Sequence, residues 1–108
     1  MVLTLATVDE ILPLLGERLR RQRLAQGLAQ SELAAMAGLS LGAVRKLERS
    51  GQSSVETMVR VVQALGLVAE LEPLFEARPT SIAQMERAER ARQRQRAPRR
   101  AVSQRSQP

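Results

Sequence analysis

The side chains that carry most enzymatic chemistry are missing from this chain, and those able to make directed contacts are cations, serines and amides. Its 108 residues include no His, Cys, Trp or Tyr and one aromatic residue, Phe75. Without His, the group most used for proton transfer near neutral pH is absent. Without Cys there is no disulfide, thiolate metal site or sulfur nucleophile, which fits a reducing cytosol. The carboxylates are not clustered, and Ser53 and Ser54 have no base to activate them. No catalytic residue, metal or cofactor is therefore expected, and the chain is not expected to be an enzyme. Stacking of single-stranded bases on aromatic platforms is equally unavailable. What remains is a set suited to phosphates and base edges. Arg45, Lys46 and Arg49 share one short stretch, with Gln30, Ser31, Ser40, Leu41 and Gly42 just ahead of them.

The net charge of +6 is unevenly placed. Residues 1–80 contain nine Lys/Arg and nine Asp/Glu. Residues 81–108 contain eight Arg against Glu86 and Glu89, so the whole excess lies at the C-terminal end. A polycationic end favours a polyanion or an acidic protein surface. No apolar run approaches the roughly 20 residues of a membrane span. The opening MVLTLATVDE lacks a basic region ahead of its apolar stretch, so no signal peptide is expected. A cytoplasmic protein is the resulting expectation.

The elements that must position these residues can be read in order. The organising stretch is Gln30 to Glu48, QSELAAMAGLSLGAVRKLE, a short helix, a tight turn and a second short helix. Leu33, Ala34 and Met36 give the first helix an apolar side. Gly38 stands where a chain leaving a helix needs positive φ, and Ser40 can cap the next helix. Val44 and Leu47 face inward together while Arg45, Lys46 and Arg49 point elsewhere. Two helices joined by a Gly-containing turn, the second bearing cations, match a helix-turn-helix.

Before this unit, Met1 to Leu5 reads as a short strand or an arm. Thr7 to Glu10 fits a capping box, which starts a helix at Val8; a start near Pro13 is the alternative. Leu14, Leu15, Leu19 and Leu24 then line one side of a helix ending near Gly27. Arg18, Arg20, Arg21 and Arg23 are either a solvated face or a source of one or two phosphate contacts. After the unit, Ser53 with Glu56 forms a second capping box for a helix carrying Val55, Met58, Val59, Val62 and Leu65. Leu67, Val68, Leu71, Leu74 and Phe75 read as a short fifth helix. Residues 77–80 form a break, and Ser81 with Gln84 opens a basic helix reaching about Arg96, with disorder expected from Ala97 on. The boundaries are thus an arm at 1–12, a compact domain at 13–76 and a basic tail at 77–108.

From Leu15 to about Leu67 the chain resembles the Cro/CI-type (XRE) helix-turn-helix family. The likeness rests on the basic first helix, Gln30, the E-L-A of Glu32 to Ala34, the A-G-L-S turn, Leu47-Glu48 and the A-L-G at Ala64 to Gly66. It implies an all-α, five-helix lambda-repressor-like domain that binds double-stranded operator DNA as a homodimer, usually at an inverted repeat. It further implies that Gln30 and Ser31 meet a phosphate at the N-terminus of the second helix. Ser40, Leu41 and Gly42 would enter the major groove, Arg45 and Lys46 would reach base edges or phosphates one turn later, and Arg49 would lie beyond them. Ala43, Val44 and Leu47 would be core, and Glu48 structural.

The chain departs from that pattern where specificity is set, because many relatives carry polar side chains where Leu41 and Gly42 stand. Arg45 is then the leading candidate for bidentate guanine readout, with Lys46 second. The Leu67 to Phe75 segment, LVAELEPLF, followed by an Arg-rich end is similar to HipB-like antitoxins, which bind their operator and a HipA-type kinase toxin. Three readings stay open: an autorepressor, an antitoxin with a toxin partner, and a non-specific nucleic-acid-binding protein driven by the tail.

Overall fold

The computed structural model describes residues 2–77 and 81–106. Among them are five α-helices and no strand, the all-α class expected: α1 Val8–Ala25, α2 Gln30–Ala37, α3 Leu41–Ser50, α4 Val55–Ala64 and α5 Ile82–Ser106. The chain divides into two compact units, Met1–Leu74 and Phe75–Pro108. The first holds α1 to α4 and ends in a 3-10 turn, Val68–Leu71, where a fifth helix was expected. Pro73 has no N–H to extend that turn into a helix. Phe75, at φ 60° and 94% exposed, leads the chain out of helical geometry.

Helix α1 begins at Val8, the first of the two starts offered by the sequence, so residues 8–12 are helical and Pro13 sits within α1. Its start is fixed by Glu10, whose carboxylate accepts from the Thr7 backbone N–H at 3.0 Å and from the Thr7 hydroxyl at 3.1 Å. The backbone bond first, and the hydroxyl second, hold the Glu10 carboxyl below its ordinary pKa. The N-terminal segment ahead of it forms a 3-10 turn at Leu3–Leu5, not a strand.

The core unites residues far apart in sequence: Leu33 and Ala34 of α2, Val44 and Leu47 of α3, and Val61 and Leu65 of the α4 region. Leu19, Leu28, Leu39, Ala64 and Leu67 pack around them. Each fully buried aliphatic side chain contributes about 1.5–3 kcal/mol. Two expectations fail here. Met36 is 55% exposed and Ala37 takes the inward place on α2. On α4, Val61 is buried while Val55 and Val59 are exposed. Val62 and Leu65 are buried in the core of this chain, which removes them from any surface offered to a second copy. The α4 cap is Ser54, accepting from Thr57 N–H at 3.0 Å, and not Ser53; Glu56 pairs instead with Arg60.

Close approach of α1 and α3 depends on two glycines. A Cβ at Gly16 would lie 2.3 Å from the Leu47 carbonyl oxygen. Gly51 ends α3 at φ 74°, and a Cβ there would lie 1.9 Å from the Leu12 carbonyl oxygen.

The second unit is described by itself. Ser81 caps α5, accepting from the Gln84 N–H at 3.1 Å, as the third capping motif predicts. The stretch from Ala97, expected to lack structure, continues α5 to Ser106 with Pro98 inside it. Arg78 to Thr80, at the expected break, and Gln107 and Pro108 lie outside the described residues.

Candidate nucleic-acid interface

The turn between α2 and α3 sets the angle of the second helix. Gly38 takes φ 69°, and the Leu39 N–H returns to the Ala34 carbonyl at 2.9 Å, closing α2 in a Schellman arrangement. Two residues on, the Ser40 hydroxyl accepts from the Ala43 N–H at 3.1 Å and starts α3. Val44 and Leu47 then fall inward, completely buried, while Gly42, Arg45, Lys46 and Arg49 are exposed. Those four share one face by the i, i+3, i+4, i+7 rule.

A buried ion pair holds the back of α3. Arg23 of α1 and Glu48 of α3 are 6% and 4% exposed. The guanidinium grips the carboxylate with two bonds, Nε to Oε2 at 2.7 Å and Nη2 to Oε1 at 3.0 Å. Its Nη1 donates to the Leu28 carbonyl at 2.6 Å, in the loop between α1 and α2. Gln30, the first residue of α2, donates from Nε2 to Glu48 Oε1 at 3.0 Å. All buried side-chain polar atoms among the described residues have partners. One carboxylate therefore ties α1, α2 and α3 together, in the planar fork geometry that favours Arg over Lys.

This network corrects the reading of two residues. Arg23 is not on the solvated cationic face and cannot reach a phosphate. A signal for this was present, because Arg23 lies four residues after Leu19, on the same stripe. Gln30 is half-buried with one amide hydrogen engaged inward; its second N–H makes no bond among the described residues. Ser31 beside it is exposed. Leu41 is half-buried, and a Cβ at Gly42 would meet nothing closer than the Ser40 hydroxyl at 3.9 Å. The fold therefore does not require glycine at 42.

The cations of the first unit sort sharply. Arg20 and Arg21 pair with Glu17 at 3.2 and 3.4 Å, Arg60 pairs with Glu56, and Arg23 with Glu48. Among the described residues of this unit, Arg18, Arg45, Lys46 and Arg49 are left without an ion pair. Three of those four lie together on the outer face of α3. No cluster of His, Cys, Asp or Glu able to hold a metal occurs among the described residues. No described helix is long and apolar enough to cross a membrane.

Residues 19–71 match the protein-family model described as Helix-turn-helix, from the middle of α1 through the 3-10 turn. No curated protein matches the chain. The matched segment is thus an XRE-type helix-turn-helix domain, and it supports a DNA-binding transcription regulator with double-stranded DNA as its partner.

Proposed function

We propose that the chain is a sequence-specific regulator that sets α3 into the major groove of its operator as one half of a homodimer at an inverted repeat, repressing its own operon. It acts in the cytoplasm and performs no catalysis. One observation carries this reading: the unpaired cations Arg45, Lys46 and Arg49 share one outward face of α3, while the inner face is fixed by Val44, Leu47 and Glu48.

The parts then take distinct roles. The N-terminus of α2 meets a phosphate through the free Gln30 amide hydrogen and Ser31. Ser40 and Gly42 bring the α3 backbone close to the groove floor, and Leu41 offers apolar contact to a thymine methyl. Arg45 reads a guanine through its two parallel donors, while Lys46 beside it and Arg49 one turn along hold the flanking backbone. Selection of bound DNA from a random pool at fixed salt tests this. Arg45→Ala should relax base preference at one position of each half-site and weaken the preferred site by about 1–3 kcal/mol. Unchanged base preference would show that α3 is docked wrongly here.

An antitoxin role is the second reading, suggested by the separate Arg-rich unit after the DNA-binding domain. A kinase-like gene beside this one, whose product copurifies with the chain, would support it.

A further inference from the structure

We propose that α5 carries a one-sided phosphate site, in which Arg87, Arg90 and Arg94 seat a single face of the helix on one phosphate row of duplex DNA, outside the stretch that α3 reads. The proposal rests on the reading of the first unit as a duplex-binding domain. It concerns backbone charge alone, with no base read by α5.

The unequal treatment of the arginines along α5 carries the argument. At about 100° per residue, positions 87, 90 and 94 fall within about 60° of one another, with Ala83 among them and Ala91 beside them. All three arginines are exposed, and none makes an ion pair among the described residues. Arg92 lies across the helix from them and pairs with Glu89. The helix thus neutralises its charge on one side and leaves it bare on the other. Glu86, four residues before Arg90, is the carboxylate nearest the stripe.

A protein contact is held at its centre by large apolar or aromatic anchors. The stripe offers arginine and alanine only. Ile82 and Met85, 75% and 56% exposed, stand about 110° and 170° round the helix from its middle. A phosphate row asks for no such anchor, because counterion release supplies the affinity. The three arginines are rooted along about 10 Å of helix, and one strand presents about three phosphates in that length of duplex axis. Ala83 and Ala91 put no bulk between the helix and that row. Binding of single strands draws on base stacking, for which α5 has no aromatic side chain. Duplex DNA is also the polyanion engaged by the first unit, so the covalent link makes the second contact intramolecular.

The test uses the full chain on a random-sequence duplex, titrated with salt. One variant combines Arg87→Gln, Arg90→Gln and Arg94→Gln. Glutamine keeps a helix propensity close to that of arginine, and unchanged helicity without DNA checks that the fold survives. Each phosphate contact adds about 0.9 to the slope of log K against log salt, so the slope should flatten by about 2.7. Between about 50 and 200 mM salt the variant should lose roughly 40-fold less affinity than the parent. Arg90→Gln alone should flatten the slope by about 0.9, and Arg92→Gln, which removes the same charge from the far side, by less than about 0.3. Glu86→Gln should tighten binding at low salt by about two- to five-fold, the scale of an exposed charge pair. Parent and triple variant should select the same bases from a random pool, so base preference reports α3 and the slope reports α5. A pool without preference, with the slope change intact, would sink the operator reading and leave the phosphate site standing. An unchanged slope would overturn the proposal and leave the stripe to an acidic protein surface. Equal flattening by Arg92→Gln would show bulk charge without a site, and equal affinity of the parent for a single strand would overturn the assignment to duplex.

Discussion

At the scale of single residues, Glu48 does more than fill a core position, because its three donors come from two other helices. Removing one partner of a buried pair strands the other charge and costs about 3–5 kcal/mol. Glu48→Met alone should therefore lower stability by about that amount, measured by denaturant unfolding. Replacing both, Arg23→Met with Glu48→Met, removes the stranded charge and should recover most of the loss. The double variant nevertheless leaves Gln30 without the carboxylate that orients its amide. Its DNA affinity should remain reduced, by a few-fold, after stability has returned. Full recovery of both would show that the network serves folding alone. This network also marks the limit of what single residues disclose in sequence. Ser40 as a cap and Val44 with Leu47 as core were legible from local spacing. The pairing of Arg23 with Glu48 spans 25 residues, and its partner was set by how α1 crosses α3.

At the scale of elements, the two glycines near α3 that bear on this site have opposite meanings. Gly51 combines positive φ with a backbone carbonyl where a Cβ would stand. Gly51→Ala should cost about 2–5 kcal/mol, from left-handed strain together with the forced separation of α1 and α3. Gly42 is helical, exposed and free of close neighbours. Gly42→Ala should raise stability by about 0.5–1 kcal/mol, the helix propensity difference. If the α3 backbone approaches the groove as proposed, the same substitution should weaken operator binding. A stabler protein with unchanged binding would place the front of α3 away from the DNA. The turn that sets this helix was readable because Gly38 and Ser40 act through neighbours a few residues away. The fifth helix of the domain was misread because the apolar spacing of Leu67 to Phe75 mimics a helix. Pro73 and the backbone of Phe75 end the structure after one 3-10 turn.

At the scale of the whole molecule, a helix-turn-helix reading an inverted repeat needs a second copy, with half-sites about 34 Å apart. Val62 and Leu65 cannot hold that copy, because they are consumed by the core of the single chain. Val59, Val68 and Leu74 are the apolar side chains still exposed at the end of the first unit, and Phe75, exposed as well, opens the second. An aromatic side chain brings a large apolar area to a contact at low entropic cost, which makes Phe75 the natural anchor. Phe75→Glu should leave domain stability within about 0.5 kcal/mol, as expected of an exposed site. It should shift sedimentation at micromolar concentration from dimer to monomer. Footprinting should then show the two half-sites filling independently. A parent chain that sediments as a monomer at that concentration would reassign dimerisation to the DNA-bound state. An unchanged dimer in the variant would move the interface away from the end of the domain.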